Sequence, residues 1–228
     1  TGKKCDPHNS VSARARIIMT PRERFTVDNV FSGGFLKEGG YPYAFTDRYD
    51  QTQPIAYDGE NMYKRMNISD GLVIQYPYDK FIFASITGYQ FLSDEVRIDP
   101  DYSKESLISR NETQKEHAIS HEFNFRSTTN QDRIWNWKNG LWVFFKHNKN
   151  DSPITYHKDG MEALFCSNIN NAIQTKYTNG MLSIKGDELT VTNEFEIPTI
   201  GAAVYHQSEF KVDNWEFAAG LRLAYEHS

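Results

Sequence analysis

Two histidines at close spacing are the first candidates for chemistry in this sequence. His117 and His121 are four residues apart, which on a helix is the spacing of a metal-binding pair. On a β-strand the same residues lie about 13 Å apart at ~3.3 Å per residue, too far to share an ion with bonds of ~2 Å. The surrounding segment alternates as a strand does, so we predict no metal site there.

An acidic motif, Asp99-Pro100-Asp101-Tyr102-Ser103, begins like a calcium-binding loop. Such a loop needs glycine at its sixth position and a bidentate carboxylate at its twelfth, where this chain has Lys104 and Arg110. The sequence also contains no nucleophile elbow, phosphate-binding loop or dinucleotide fingerprint. We therefore expect no metal, no cofactor and no enzymatic activity.

Aromatic residues in two long polar stretches are the strongest candidates for ligand binding. Such rings stack on sugars or on aromatic iron chelates. They also pack loops against one another, and the sequence leaves both roles open. The candidate ligand-binding residues are Tyr41, Tyr43, Tyr49 and Tyr57 in the first stretch, with Tyr156 and His157 in the later one.

Long β-strands must position these candidates, and the clearest two lie within residues 117–147. Their residues alternate between apolar and polar, and period 2 places the two kinds on opposite faces of a sheet. The apolar parity comprises Ile119, His121, Phe123 and Phe125, then Trp135, Trp137, Leu141, Val143 and Phe145. Tryptophans at one end of an apolar face are typical of a membrane interface. Trp135, Trp137 and Trp215 are accordingly predicted to form a lipid-facing girdle.

Connections between the predicted strands alternate between short and long along the whole chain. About eight strands are visible, and Met161–Ile173 has helical spacing within the last long connection. An up-and-down barrel with tight turns on one rim and long loops on the other gives this pattern, whereas a sandwich uses Greek-key crossovers. We predict an all-β fold of antiparallel up-and-down strands from a transmembrane β-barrel. The alternative is a soluble all-β carbohydrate-binding module, whose apolar faces would pack into a closed core.

Composition narrows the class of protein further. The chain has 228 residues, a mean hydropathy of −0.65 and no run of 18 apolar residues, which excludes a transmembrane helix but not a barrel. A net charge of −5 argues against nucleic acid as a partner. The two cysteines, Cys5 and Cys166, are compatible with one disulfide or with two free thiols.

Several segments together resemble TonB-dependent outer-membrane receptors of Gram-negative bacteria. The resemblance lies in FASITGY at 83–89 followed by DPDY at 99–102, in ISHEFNFR at 119–126 followed by WKNGL at 137–141, and in GAAVYHQ at 201–207 with AGLR at 219–222. It implies a barrel of about 22 strands closed by a plug. It also implies uptake of a scarce nutrient, an iron-siderophore first, or a glycan or cobalamin, powered by the TonB system.

The chain departs from that family pattern in what it lacks. We find no plug sequence, and only about eight of the 22 strands are visible. Residues 1–228 are therefore expected to be a barrel region without the plug domain, excised from a longer receptor. On this interpretation the partners are the lipid bilayer, a small nutrient ligand such as an iron chelate, and the TonB system through the absent plug.

Overall fold

The chain folds into one antiparallel sheet of ten strands. The computed structural model describes residues 6–40, 42–128, 134–174 and 182–228. The strands are β1 His8–Arg22, β2 Phe25–Gly39, β3 Met62–Pro77, β4 Phe81–Ile98, β5 Ile108–Ser127, β6 Trp135–Asp151, β7 Ile154–His157, β8 Glu188–Val191, β9 Glu194–Val212 and β10 Trp215–His227. Seven of them have 15 or more residues, where about 5–6 is usual.

Neighbouring long strands pair in the order of the sequence, β1-β2-β3-β4-β5-β6-β9-β10. This confirms the predicted all-β, up-and-down fold and its eight long strands. The two short strands, β7 and β8, were not predicted. β7 pairs with the start of β5 and with β8.

The three long connections, which follow β2, β4 and β6, lie at one end of the sheet. The tight turns that follow β1, β3 and β9 lie at the other end. Arg24 and Asp213 adopt left-handed backbone conformations in two of the tight turns, as such turns require. The last long connection contains the predicted helical region, formed by α1 Lys158–Met161, a π-type turn Glu162–Cys166 and α2 Ser167–Gln174. None of the described helices is long and apolar enough to cross a membrane.

Strand register confirms that the sheet has two chemically different faces. Phe123, Leu141, Val204 and Leu223 are directly paired across four neighbouring strands, so their side chains share a face. We call the face that contains Leu141 the apolar face and the opposite one the polar face. Leu141 is 44% exposed and Leu223 63%. The closed core required by a soluble module is therefore not formed by the described residues.

Apolar side chains on the apolar face form a band about ten residues tall. On β6 it runs from Trp135 to Phe145, and on β4 from Phe81 to Phe91. Beyond the band, toward the long connections, charges replace the apolar side chains and pair with one another. Lys64 contacts Glu95 at 3.2 Å, and Lys149 contacts Glu194 and Glu196 at 2.5 and 3.1 Å.

Two glycines on the polar face allow aromatic rings to lie flat on the sheet. Gly140 of β6 is paired with Tyr205 of β9, and Phe144 of β6 is paired with Gly201 of β9. A Cβ atom on Gly140 would lie 2.1 Å from the Tyr205 ring, and one on Gly201 would lie 2.2 Å from the Phe144 ring. Because the two contacts are reciprocal, they lock the register between these strands.

Candidate functional site

A cavity of about 350 Å³ lies where the three long connections meet the ends of β4, β5 and β7. It brings together residues that are far apart in the sequence, so only the folded sheet creates it. The lining residues are Asp58, Gly59, Glu60, Arg97, Ile98, Asp99, Ile108, Ser109, Arg110, Asn111 and His157.

Asp99 joins the first long connection to the second. It follows the last residue of β4 and is 2% exposed. Its carboxylate accepts hydrogen bonds from the backbone N–H groups of Asp58 and Asp101, each at 3.2 Å. Its own N–H donates to Asn61 Oδ1 at 2.7 Å. These contacts hold residues 58–61 against the end of the sheet.

Burial and a neighbouring carboxylate set the protonation of Asp99. Removal from water, followed by the charge of Asp101, raises the pKa of Asp99 to about 6. Burial also disfavours the Asp101 carboxylate, but hydrogen bonds from Ser103 and from the Ile108 N–H outweigh it and lower the pKa of Asp101. Asp101 therefore keeps its negative charge in mildly acidic solution, whereas Asp99 takes up a proton there.

His157 forms the opposite wall and is fixed on three sides. Its backbone N–H donates to Leu107 O at 2.9 Å, Nε2 lies 3.2 Å from Ser109 Oγ, and Nδ1 lies 3.3 Å from Glu188 Oε1. Both ring nitrogens are thus engaged by the protein itself. His157 is consequently held in place as a polar part of the cavity wall, and both of its ring nitrogens already have partners.

Two arginines line the cavity from opposite faces of the sheet, because Arg97 is paired with Asn111 and Arg110 with Ile98. Arg97 contacts Glu95 at 2.7 Å, and Arg110 contacts Glu112 at 2.7 Å and Ser152 Oγ at 3.2 Å. These partners hold the guanidinium groups without enclosing them, since both arginine side chains are about half exposed. With Asp58 and Glu60 on the rim, the cavity offers both donors and acceptors to a polar ligand.

Of the six residues predicted to bind ligand, the structure brings His157 to the cavity and places the described tyrosines outside its lining. Tyr43 packs edge-on against Tyr102, with 5.3 Å between ring centroids, and Tyr156 packs in the same way against Phe165 at 5.4 Å. Tyr49 is 68% exposed beside Arg48, and Tyr57 is half-buried. Tyr41 lies outside the described residues.

The remaining predicted residues lie on the apolar face. Trp135 stacks on Phe210 and Trp215 on Phe217, each pair with 6.2 Å between centroids, while Trp137 is half-buried nearby. Further along this face, His117 contacts the Tyr89 hydroxyl and His121 contacts Thr87 Oγ1, both at 2.9 Å.

The structure also bears on a disulfide and on a metal site. Cys166 is buried with a free thiol, whereas Cys5 lies outside the described residues. Within the described ranges, no three His, Cys, Asp or Glu side chains are grouped to hold a metal ion.

Sequence reasoning missed Asp58, Glu60, Arg97 and Arg110 as parts of one cavity. Their only signal was a position at the end of a strand or just beyond it. Asp99 and Asp101 were considered only as an incomplete calcium-binding motif. In the structure, Asp99 accepts a hydrogen bond from Asp58 in the first long connection, and Asp101 accepts one from Ile108 at the start of β5.

Known structures share the architecture of this chain, although sequence comparisons find nothing. No protein-family model matches, and no curated protein is significantly similar. The ferric yersiniabactin uptake receptor FyuA from Yersinia pestis superposes with a TM-score of 0.66 at 13% identity, over 96% of this chain and 30% of that chain. The RagAB peptide transporter superposes at 0.54 and 9% identity, over 97% and 28%. A second RagAB structure, in the "closed-closed" state, gives 0.53 and 10%, over 96% and 28%.

This chain thus spans about 30% of the length of the solved structures that it matches. At such identities the likeness concerns the fold. An antiparallel wall of long strands in sequential order is what the three structures and this chain have in common. The predicted resemblance to TonB-dependent outer-membrane receptors is confirmed at that level, as a segment of their barrel.

Proposed function

We propose that this chain is part of the barrel of an outer-membrane, TonB-dependent receptor that takes up a scarce nutrient. The height of the apolar band carries the proposal. Ten residues at ~3.3 Å, tilted by ~40°, span about 25 Å, which is the height of the lipid-facing band of such barrels. Residues 1–228 belong to the barrel region on this proposal, and a plug elsewhere in the protein links it to the TonB system.

The orientation in the membrane follows from the unequal ends of the sheet. Bacterial outer-membrane barrels have short periplasmic turns and long extracellular loops. The turns at Arg24 and Asp213 therefore face the periplasm, and the cavity at Asp99 and His157 faces outward. Trp135, Trp137 and Trp215 would form the girdle at the periplasmic interface, where amphipathic rings are favoured.

An iron chelate is the ligand that we propose first. Arg97 and Arg110 offer guanidinium groups to the anionic oxygen donors of such chelates, since arginine binds carboxylate-like groups with two N–H donors. The exposed rings of Tyr43 and Tyr49 offer stacking surfaces on the first long connection. One structural neighbour is named as an iron-chelate receptor and another as a peptide transporter.

Growth of a deletion strain distinguishes these ligands. The strain carries the full-length gene or an empty vector, and receives a ferric siderophore as its only iron source, or a peptide, cobalamin or an oligosaccharide as the limiting nutrient. We expect the gene to restore growth on the ferric siderophore. Rescue on another nutrient alone would reassign the ligand, and recovery of the protein in soluble fractions would contradict the receptor proposal.

A variant series connects the uptake to the cavity. Arg110→Ala removes one guanidinium group, and we expect a several-fold rise in the ligand concentration needed for half-maximal uptake. Lys185→Ala is the matched control, because Lys185 is an exposed cation on the last long connection and lies outside the cavity lining. Equal uptake by the two variants would exclude the cavity as the ligand site.

A further inference from the structure

A polar stripe crosses the middle of the apolar face on strands β2 to β5. It consists of Asn29, Asp70, Ser85, Thr87 and His121. Each lies near the midpoint of its strand's apolar band, with apolar residues on either side, such as Phe83 and Phe91 on β4. On β6, β9 and β10 the corresponding rows contain Leu141, Val143, Ala202, Val204, Leu223 and Tyr225. Within these rows the stripe is therefore confined to β2–β5.

Strand register places two hydrogen-bonded groups in the stripe, Asn29 with Asp70 and His121 with Ser85 and Thr87, on either side of Leu72. Thr87 is paired with both Leu72 and His121, and Leu72 is paired with Asn29. Asn29 Nδ2 donates to Asp70 Oδ1 at 2.9 Å. The His121 ring contacts Thr87 Oγ1 at 2.9 Å and Ser85 Oγ at 3.5 Å. All five side chains remain partly accessible.

Asp70 makes this surface costly against lipid. Its carboxylate has the Asn29 amide as a neighbour but no ion-pair partner within the part of the chain that the structure describes. Acyl chains offer no hydrogen bonds, so polar side chains at this depth are rare and mark functional surfaces. Lipid headgroups do not reach the middle of the band. A protein surface with its own polar groups at the same depth is what would satisfy the stripe.

We propose that the stripe is the contact surface for a second copy of this protein in the membrane; this inference rests on the proposed function. A two-fold interface brings the same patch of both copies together and must be self-complementary. The stripe meets that condition, because Asp70 supplies a carboxylate acceptor, and the Ser85 or Thr87 hydroxyl that accepts from the His121 ring keeps its own hydrogen to donate. In the dimer, Asp70 of each copy faces donors of the other, and the apolar rows above and below pack against each other.

Cysteine cross-linking in isolated outer membranes tests the contact. Full-length protein with Cys5→Ser and Cys166→Ser carries either Ser85→Cys or Thr87→Cys on the stripe. Ala202→Cys and Val204→Cys are the matched controls, because they lie in the same rows as Thr87 and Ser85, three strands away. After a membrane-permeable oxidant, we expect at least a tenfold excess of product at twice the monomer mass for the stripe positions. Equal or absent products, or a product with another chain, would overturn the proposal.

The substitution Asp70→Leu separates a dimer contact from a lipid-facing surface. Against lipid, the change removes a costly carboxylate and leaves cross-linking at Thr87→Cys as it was. In the dimer it removes the acceptor, and we expect cross-linking to fall at least tenfold while heat-modifiable mobility shows the barrel still folded. Unchanged cross-linking would contradict the inference. For protein with Asp70 intact, absence from the outer membrane would defeat the proposed function as well. Absence of cross-links at Ser85→Cys and Thr87→Cys in correctly inserted protein with Asp70 intact would defeat only the dimer.

Discussion

The position of the Tyr205 ring depends on the absence of a side chain at Gly140. The ring lies on Gly140, and the Tyr205 hydroxyl donates to Glu122 Oε1 at 2.5 Å. Asn124 Nδ2 donates to the Tyr205 hydroxyl oxygen at 2.6 Å. Lys138 lies 5.5 Å from the ring centroid. A methyl group at position 140 would displace the ring and separate the buried Asn124 from its partner.

We therefore expect Gly140→Ala to lower the free energy of unfolding by about 1–3 kcal/mol, as overpacking does. Gly71→Ala is the control, because a Cβ there would be 3.9 Å from its nearest neighbour. Urea titration of the protein refolded in lipid vesicles measures both. If the two alanine variants were equally stable, the contact between Tyr205 and Gly140 would not be contributing as described.

Asp99 predicts a pH dependence at the long-connection end. A carboxyl pKa of about 6 in the folded protein exceeds the unfolded value of ~3.9. The folded state therefore binds the proton more tightly between pH 4 and 6. The resulting stabilisation is complete below pH ~4, is lost as pH rises through 6, and is on the order of 1–3 kcal/mol.

Resistance of the long connections to protease should accordingly be greater at pH 4.5 than at pH 7. Asp99→Asn should remove this difference, because an amide does not titrate. Asp187→Asn, an exposed change on the last long connection, should keep it. A pH difference of equal size in both variants would assign the effect to another group.

At the scale of elements, β6 separates the two faces most clearly. Leu141 lies mid-band on the apolar face, and Lys138 lies on the polar face near Tyr205. On the proposed function, Leu141→Arg places a charge against lipid and should cost about 2–4 kcal/mol. Lys138→Ala loses a cation–π contact and should cost about 0.5–1 kcal/mol. Equal costs in vesicle unfolding would show that the face toward lipid is misassigned.

The clearest long strands were predictable because their own sequences alternate between apolar and polar residues. Ile119 to Phe125 alternates with polar residues, and no knowledge of the partner strand is needed to see it. β7 and β8 were not predictable, since four residues each are too few to show a period. The pairing of Tyr156 with Leu189 depends on how the intervening helix folds back.

The cavity was unpredictable for a related reason. Asp58, Asp99 and Arg110 meet only through the register between β4 and β5 and the loop contact at the Asp58 N–H. Nothing in their local sequences indicates that they share a wall. The tyrosines were conspicuous by composition, yet Tyr43 packs against Tyr102 of the next long connection and Tyr156 against Phe165 of its own.

For the whole molecule, the central claim is that the apolar face lies in a lipid bilayer with its band spanning the membrane. The most direct test uses spin labels placed singly at each position from 137 to 147 of the full-length protein in outer-membrane vesicles. We expect oxygen accessibility to alternate with period 2, with maxima at 141, 143 and 145 and minima at 140, 142 and 144. Collision of the labels with a water-soluble nickel chelate should be least frequent at positions 141, 143 and 145. High nickel accessibility at 141 to 145, or no alternation, would contradict the account.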